Sequence, residues 1–155
     1  MACGGRAMAL LNAAYDQNRQ VSQAFSAKVF ETGEAARTMN KRLADAEYRA
    51  NALQKQIFDT VAEGYRGKGN VLLSRPDCPP ADLRELADRI AGVCGGIAFL
   101  YSGSNVCIVS RTDDLKALGA ELKARFNARG GGKPGYFQGT LTATAEELEA
   151  FFSIV

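Results

Sequence analysis

The chain has 155 residues, 46% of them hydrophobic and 23% charged, which suits one core with a helical appendage and leaves little room for two full domains. Lys and Arg number 19 against 17 Asp and Glu, for a formal charge of +2, and histidine is absent. The commonest metal ligand and the usual general base near neutral pH are therefore missing, which argues against a zinc site or a Ser/His or Cys/His catalytic pair in this chain. No window reaches the roughly 18 apolar residues of a membrane span, and no signal-peptide apolar segment opens the sequence, so the expected setting is the cytoplasm, with no membrane attachment.

The opening Met1-Ala2-Cys3-Gly4-Gly5-Arg6-Ala7 puts apolar residues and glycine where a folded domain seldom begins, and is expected to be the cut edge of a longer chain. Over residues 6–27, Leu10, Leu11, Ala14, Val21, Ala24 and Phe25 recur near three- and four-residue spacing, which predicts a first helix. Thr32 is a suitable N-cap, and Glu34 sets a carboxylate in the first turn of a second helix over residues 33–63. At about 1.5 Å per residue that helix is roughly 45 Å long. Its apolar positions Met39, Leu43, Ala46, Ala50, Leu53, Ile57 and Val61 are spaced 4, 3, 4, 3, 4 and 4, close to a heptad seam. Arg37, Lys41, Arg42, Arg49 and Lys55 lie off it. Such a stripe needs cover from the first helix, a second subunit, or both. The spacing thus predicts a coiled-coil-like helical hairpin over residues 1–66 and a homodimer through Leu43, Ala46, Ala50, Leu53 and Ile57.

Gly64 ends the long helix, and Gly67 and Gly69 mark a hinge into a second domain over residues 67–155. Strands are predicted over residues 70–74, 96–101, 106–111 and 137–143, and helices over 80–93, 114–127 and 145–152. Pro80 in a first turn, Ser102-Gly103-Ser104-Asn105 as a hairpin loop, and Thr144 with Glu147 as a capping box support these limits. Val71-Leu72-Leu73 and Ile97-Ala98-Phe99-Leu100 are continuous apolar runs, as in strands covered on both faces. The fold class expected is α+β or α/β: a long helical hairpin followed by a small domain with a four-stranded sheet and three helices.

Cys3, Cys78, Cys94 and Cys107 are 75, 16 and 13 positions apart and form no Cys-x-x-Cys pair, so buried reduced thiols are expected. Asp113-Asp114 and Glu146-Glu147 sit at helix N-termini, where the helix dipole accounts for paired carboxylates without catalysis. The charges are uneven. Residues 1–75 carry eleven Lys/Arg against seven Asp/Glu and residues 111–135 six against three, while residues 136–155 carry only Glu146, Glu147 and Glu149. Such basic surface either steers a polyanion or simply keeps helix faces solvated.

The chain is organised around Arg129-Gly130-Gly131-Gly132-Lys133-Pro134-Gly135-Tyr136-Phe137-Gln138-Gly139. Each glycine costs backbone freedom on folding, so three in a row exceed what a spacer needs. What they allow is close backbone approach, with N–H groups clustered on one anion between Arg129 and Lys133. A tight helix-to-strand connection is the other reading. A nucleotide P-loop is excluded by order, because there the glycines follow a strand and open a helix.

These residues resemble the DHH-associated C-terminal domain, type A, found in alanyl-tRNA synthetases, long alanyl-tRNA editing proteins and DHH phosphoesterases. The likeness is carried by the strands at 97–101 and 106–111, the helix after them, Gly130-Gly131-Gly132-Lys133-Pro134 and Gln138-Gly139. Gly135-Tyr136-Phe137 stands where synthetases tend to have Asp, Met and Ala, which favours the editing branch. Cys3-Gly4-Gly5-Arg6-Ala7 is similar to the close of an editing domain.

The resemblance implies a module that binds tRNA, in the first place the alanine-accepting tRNA, through Arg129, Gly130, Gly131, Gly132, Lys133, Gln138 and Gly139. It implies no catalytic residue, metal or cofactor in this chain, zinc being expected only in an upstream editing domain of the parent hydrolase. Gln138 either meets a base or sugar or ties the loop to its strand. Tyr65, Tyr101, Tyr136 and Phe137 could stack bases, with only the last two beside the loop. The alternative implied is the substrate-binding domain of a DHH phosphoesterase, where the loop usually carries a histidine.

Overall fold

The structure, a computed structural model, describes residues 3–153, so Met1 and Ala2 of the opening segment lie outside the described residues. The chain divides into two compact units, Met1–Leu53 and Gln54–Val155.

In the first unit α1, Cys3–Ala24, leads through a single 3-10 turn, Val29–Glu31, into α2, Thr32–Glu63. Ser26 takes the left-handed conformation (φ 50°) between α1 and the 3-10 turn. Thr32 Oγ1 donates to the Val29 carbonyl at 3.0 Å, with Asn18 Oδ1 3.3 Å away. Thr32 is thus the first helical residue and a donor to the turn, where an accepting N-cap is expected from sequence. Along α2, Leu43 is 57% and Leu53 60% exposed, and Ala46 and Ala50 are exposed as well. Met8, Leu10, Leu11 and Tyr15 of α1 are also exposed, so the seam takes no cover from α1.

In the second unit the last turns of α2 bury Phe58 and Ala62 in the core, which is why the compact domain begins ahead of the glycine hinge. The sheet has five strands where four are expected: β1 Gly69–Ser74, β2 Gly95–Ser102, β3 Asn105–Ser110, β4 Arg129–Gly131 and β5 Tyr136–Thr140. Their order is β1-β2-β3-β5-β4. Only β1 and β2 are parallel, joined by α3, Pro80–Cys94. The added strand is the glycine run, which has no strand propensity of its own.

Side chains alternate between two apolar layers, as a pleated strand requires. Ala98 and Leu100 of β2, with Cys107 and Val109 of β3, meet Leu86, Ala87 and Ile90 of α3. Ile97 and Phe99, with Val106 and Ile108, meet α4, Lys116–Phe126, and α5, Ala145–Phe152, through Leu118, Leu122, Leu148 and Phe151. The run Ile97-Ala98-Phe99-Leu100 is apolar throughout because both of its faces are covered. Phe99 is 1% exposed and meets Phe152 edge-on at 5.8 Å. Thr144 and Glu147 form the expected capping box of α5, with bonds of 3.2 and 2.8 Å.

Candidate functional site

The central stretch resolves into edge strand, turn and strand. α4 stops on Asn127, left-handed at φ 49°, whose N–H bonds the Leu122 carbonyl. β4 then pairs with β5, Arg129 opposite Thr140, Gly130 opposite Gly139 and Gly131 opposite Gln138. The backbones pass very close. A Cβ on Gly130 would fall 2.6 Å from Gly139 Cα, on Gly132 2.7 Å from the Tyr136 carbonyl carbon, and on Gly139 2.8 Å from Gly130 Cα. A Cβ on Gly131 would meet nothing within 4 Å. Gly130, Gly132 and Gly139 are therefore demanded by the connection itself, and Gly131 alone exceeds what that connection needs.

Lys133 to Tyr136 form a turn, the Tyr136 N–H donating to the Lys133 carbonyl at 2.9 Å. Pro134 at its second position and Gly135 at its third, with φ 76°, are the pattern of a type II turn. The turn fixes where Lys133 leaves the sheet. Successive amides of an edge strand face opposite ways, so one of Gly130 and Gly131 keeps an N–H that the sheet does not use.

A cleft of about 270 Å³ lies between this edge and α4. Lys116, Gly119, Ala120 and Lys123 line one side, spaced i, i+3, i+4 and i+7 and so on one helix face. Gly131, Gly132 and Lys133 line the other, over Leu115 and Phe137. Gly119 lets the helix seat on the strand: a Cβ there would come 3.1 Å from the Phe137 ring. Three lysines line the cleft and no carboxylate does. Lys116 pairs loosely with Asp114 at 3.8 Å, while Lys123 and Lys133 have no ion-pair partner among the described residues.

Arg129 and Gln138 are placed elsewhere. Ala128 is buried on the α4 side, so Arg129, next along the strand, turns to the opposite sheet face with Gln138 and Thr140. There the Tyr136 hydroxyl donates to Gln138 Oε1, and Arg84 of α3 lies 5.0 Å over the Tyr136 ring. Burial, then the neighbouring Cys107, raises the Tyr136 phenol above its usual range. Burial pushes the Cys107 thiol up to about 11, so it stays protonated. Of the candidate base-stacking rings, Tyr101 and Phe137 are buried and Tyr65 carries Lys68 over its ring at 4.9 Å.

The paired carboxylates serve local structure. Hydrogen bonds from the Thr112 and Ser110 hydroxyls hold the Asp113 carboxyl below the usual range, and Asp114 accepts from the Lys116 N–H at 3.1 Å. Among the described residues no three Cys, Asp or Glu side chains come together as a metal-holding group, and no helix is long and apolar enough to cross a membrane. Sequence reasoning misses Lys116 and Lys123. Their signal is the Lys-x-x-Gly-Ala-x-x-Lys face just ahead of the glycine run, legible only once that helix is laid against the strand.

No protein-family model matches the sequence, and no curated protein matches it. Among solved structures, the exonuclease RecJ bound to manganese is similar in fold over 81% of this chain, with a TM-score of 0.57 and 15% identity. This is a likeness of fold alone, and it lends nothing to the alanyl-tRNA editing assignment. The chain spans 32% of the RecJ chain.

Proposed function

We propose that this chain is a nucleic-acid-holding module in which the α4–β4 cleft takes the phosphate backbone of a strand. The observation that carries this is the set of three lysines around an edge strand of glycine, with no carboxylate among them. Ammonium groups supply the sequence-independent attraction of backbone binding, and the glycine edge lines the cleft beside them with backbone alone. In this reading the chain holds the strand and does not cut it. Catalysis, and any metal it uses, belongs to other parts of a longer protein.

For the parent, the fold likeness to an exonuclease supports the substrate-binding domain of a DHH phosphoesterase. A second reading, alanine-accepting tRNA held for an editing hydrolase, is favoured by the histidine missing from the glycine loop and by Gly135-Tyr136-Phe137. Titrating labelled tRNA and labelled single-stranded DNA at several salt concentrations tests both. Lys123→Ala with Lys133→Ala should lower the slope of log affinity against log salt by about 1.4 to 1.8, at about 0.7 to 0.9 per lost contact. An unchanged slope overturns the cleft as the site. A preference of about tenfold or more for alanine-accepting tRNA over other tRNAs supports the second reading, a level far above what backbone charge alone gives.

The exposed α2 seam is read as a self-association surface. With Leu43, Ala50 and Ile57 at one set of core positions and Met39, Ala46 and Leu53 at the other, Arg42 and Glu47 flank the seam five residues apart. That is the spacing at which flanking charges meet across a parallel pair. A parallel, in-register pair of α2 helices, each from one copy of this chain, therefore gains two such ion pairs.

A further inference from the structure

The side chains that reach the cleft differ from those that read bases. Base identity is read by bidentate Arg, Asn or Gln or by stacking on an open aromatic face. The cleft offers neither. Its charged side chains are Lys116, Lys123 and Lys133, each a compact charge with donors only and no preference among base edges, while Tyr136, which also lines it, packs its ring into the α3 layer on the other face beside Arg84. Its aromatic floor, Phe137, is 4% exposed and has no face left for a base. The base-reading types nearby, Arg129 and Gln138, are on the other face of the sheet, and Gln138 is already engaged by the Tyr136 hydroxyl.

We infer that the cleft is blind to the bases: it grips sugar and phosphate and accepts a strand of any sequence, including one with no bases at all. This rests on the backbone-binding reading above and narrows it to a class of ligand, a sugar–phosphate chain whose bases point into solvent. A strand carrying damaged or missing bases is then held as firmly as an intact one.

The test is fluorescence anisotropy with end-labelled strands of about 20 nucleotides, long enough to span one single-strand site. Mixed-sequence, all-pyrimidine, purine-rich and fully abasic strands are each titrated with the wild type and with Lys123→Ala/Lys133→Ala. The expected result is that all four bind the wild type within about threefold of one another, and that the double variant weakens all four by a similar factor, about tenfold at low salt. If the double variant weakens binding but the abasic strand is also bound about tenfold less tightly than the mixed one, a size that base stacking would supply, the base-blind inference falls and the backbone-binding reading stands. If the double variant binds every strand as the wild type does, or the wild type binds none, both fall.

Discussion

A single added methyl at three neighbouring glycines should have opposite effects. At Gly130 it would press on Gly139 Cα from 2.6 Å, and at Gly132 on the Tyr136 carbonyl carbon from 2.7 Å. Both obstacles are backbone, which cannot rotate aside, so β4 must lift from β5. Overpacking of this kind costs about 1–3 kcal/mol, and separating β4 from β5 places Gly130→Ala and Gly132→Ala at the upper end. For a unit of about 100 residues each kcal/mol moves the melting temperature by roughly 4–8 °C, so a loss of about 10–20 °C is expected. Gly131 has open space and is not among the glycines of positive φ. Gly131→Ala should therefore be neutral or stabilise by about 0.4–1 kcal/mol, through the reduced freedom of the unfolded chain. Urea unfolding followed by circular dichroism, with equal slopes for all variants, measures each difference. The same Gly131→Ala protein, fully folded, should bind a labelled strand as the wild type does, because position 131 lies opposite Gln138 and its methyl shares that face of the sheet, away from the α4 cleft. Equal destabilisation at 130 and 131 would refute the strand placement, and clearly weakened binding by Gly131→Ala would put the phosphate on the Gln138 face of the sheet instead of in the cleft.

Two further outcomes are expected. Leu43→Glu with Leu53→Glu should reduce the sedimenting mass to that of a monomer, Arg42→Glu alone should weaken association, and adding Glu47→Arg should restore it; a wild type that is already monomeric at every concentration ends the α2 pairing idea. The Cys107 thiol is raised from 9.0 to about 11 by burial, so its stabilising contribution is complete below pH 9 and is lost as pH climbs towards 11. Over that interval the wild type should lose about 2–3 kcal/mol that Cys107→Ala retains, at about 1.36 kcal/mol per pKa unit, and parallel stability curves for the two proteins would contradict it.

Much of the architecture is legible in the residues because local signals and burial agree. Pro80, the Thr144 capping box and the apolar run from Ile97 to Leu100 each point to the element that forms. What sequence reasoning misses depends on partners distant in the chain. Gly130 and Gly131 become a strand only because β5 returns beside them, and no propensity announces that. Arg129 looks like the near wall of an anion cradle next to Lys133, yet strand alternation sends it to the other face. Lys116 and Lys123 read as ordinary solvated helix until Gly119 seats the helix on Phe137. The site is thus half legible: its glycines and Lys133 from motif, its other two lysines only from tertiary packing.

The shortness of β4 has a consequence for how the molecule behaves in crowded solution. A sheet ending in a long apolar strand invites a neighbour to add its own strand and begin a stack, whereas short edges flanked by charge resist this. Here the terminal strand is three residues long, Arg129–Gly131, and every one of them is exposed. Arg129 begins it and Lys133 follows it, so an identical edge drawn alongside would bring like charges together and find almost no side-chain surface to zip against. The short edge that leaves one glycine amide outside the sheet thus makes this rim a poor seed for fibrils, and the protein can keep an open sheet border without sticking to its copies there.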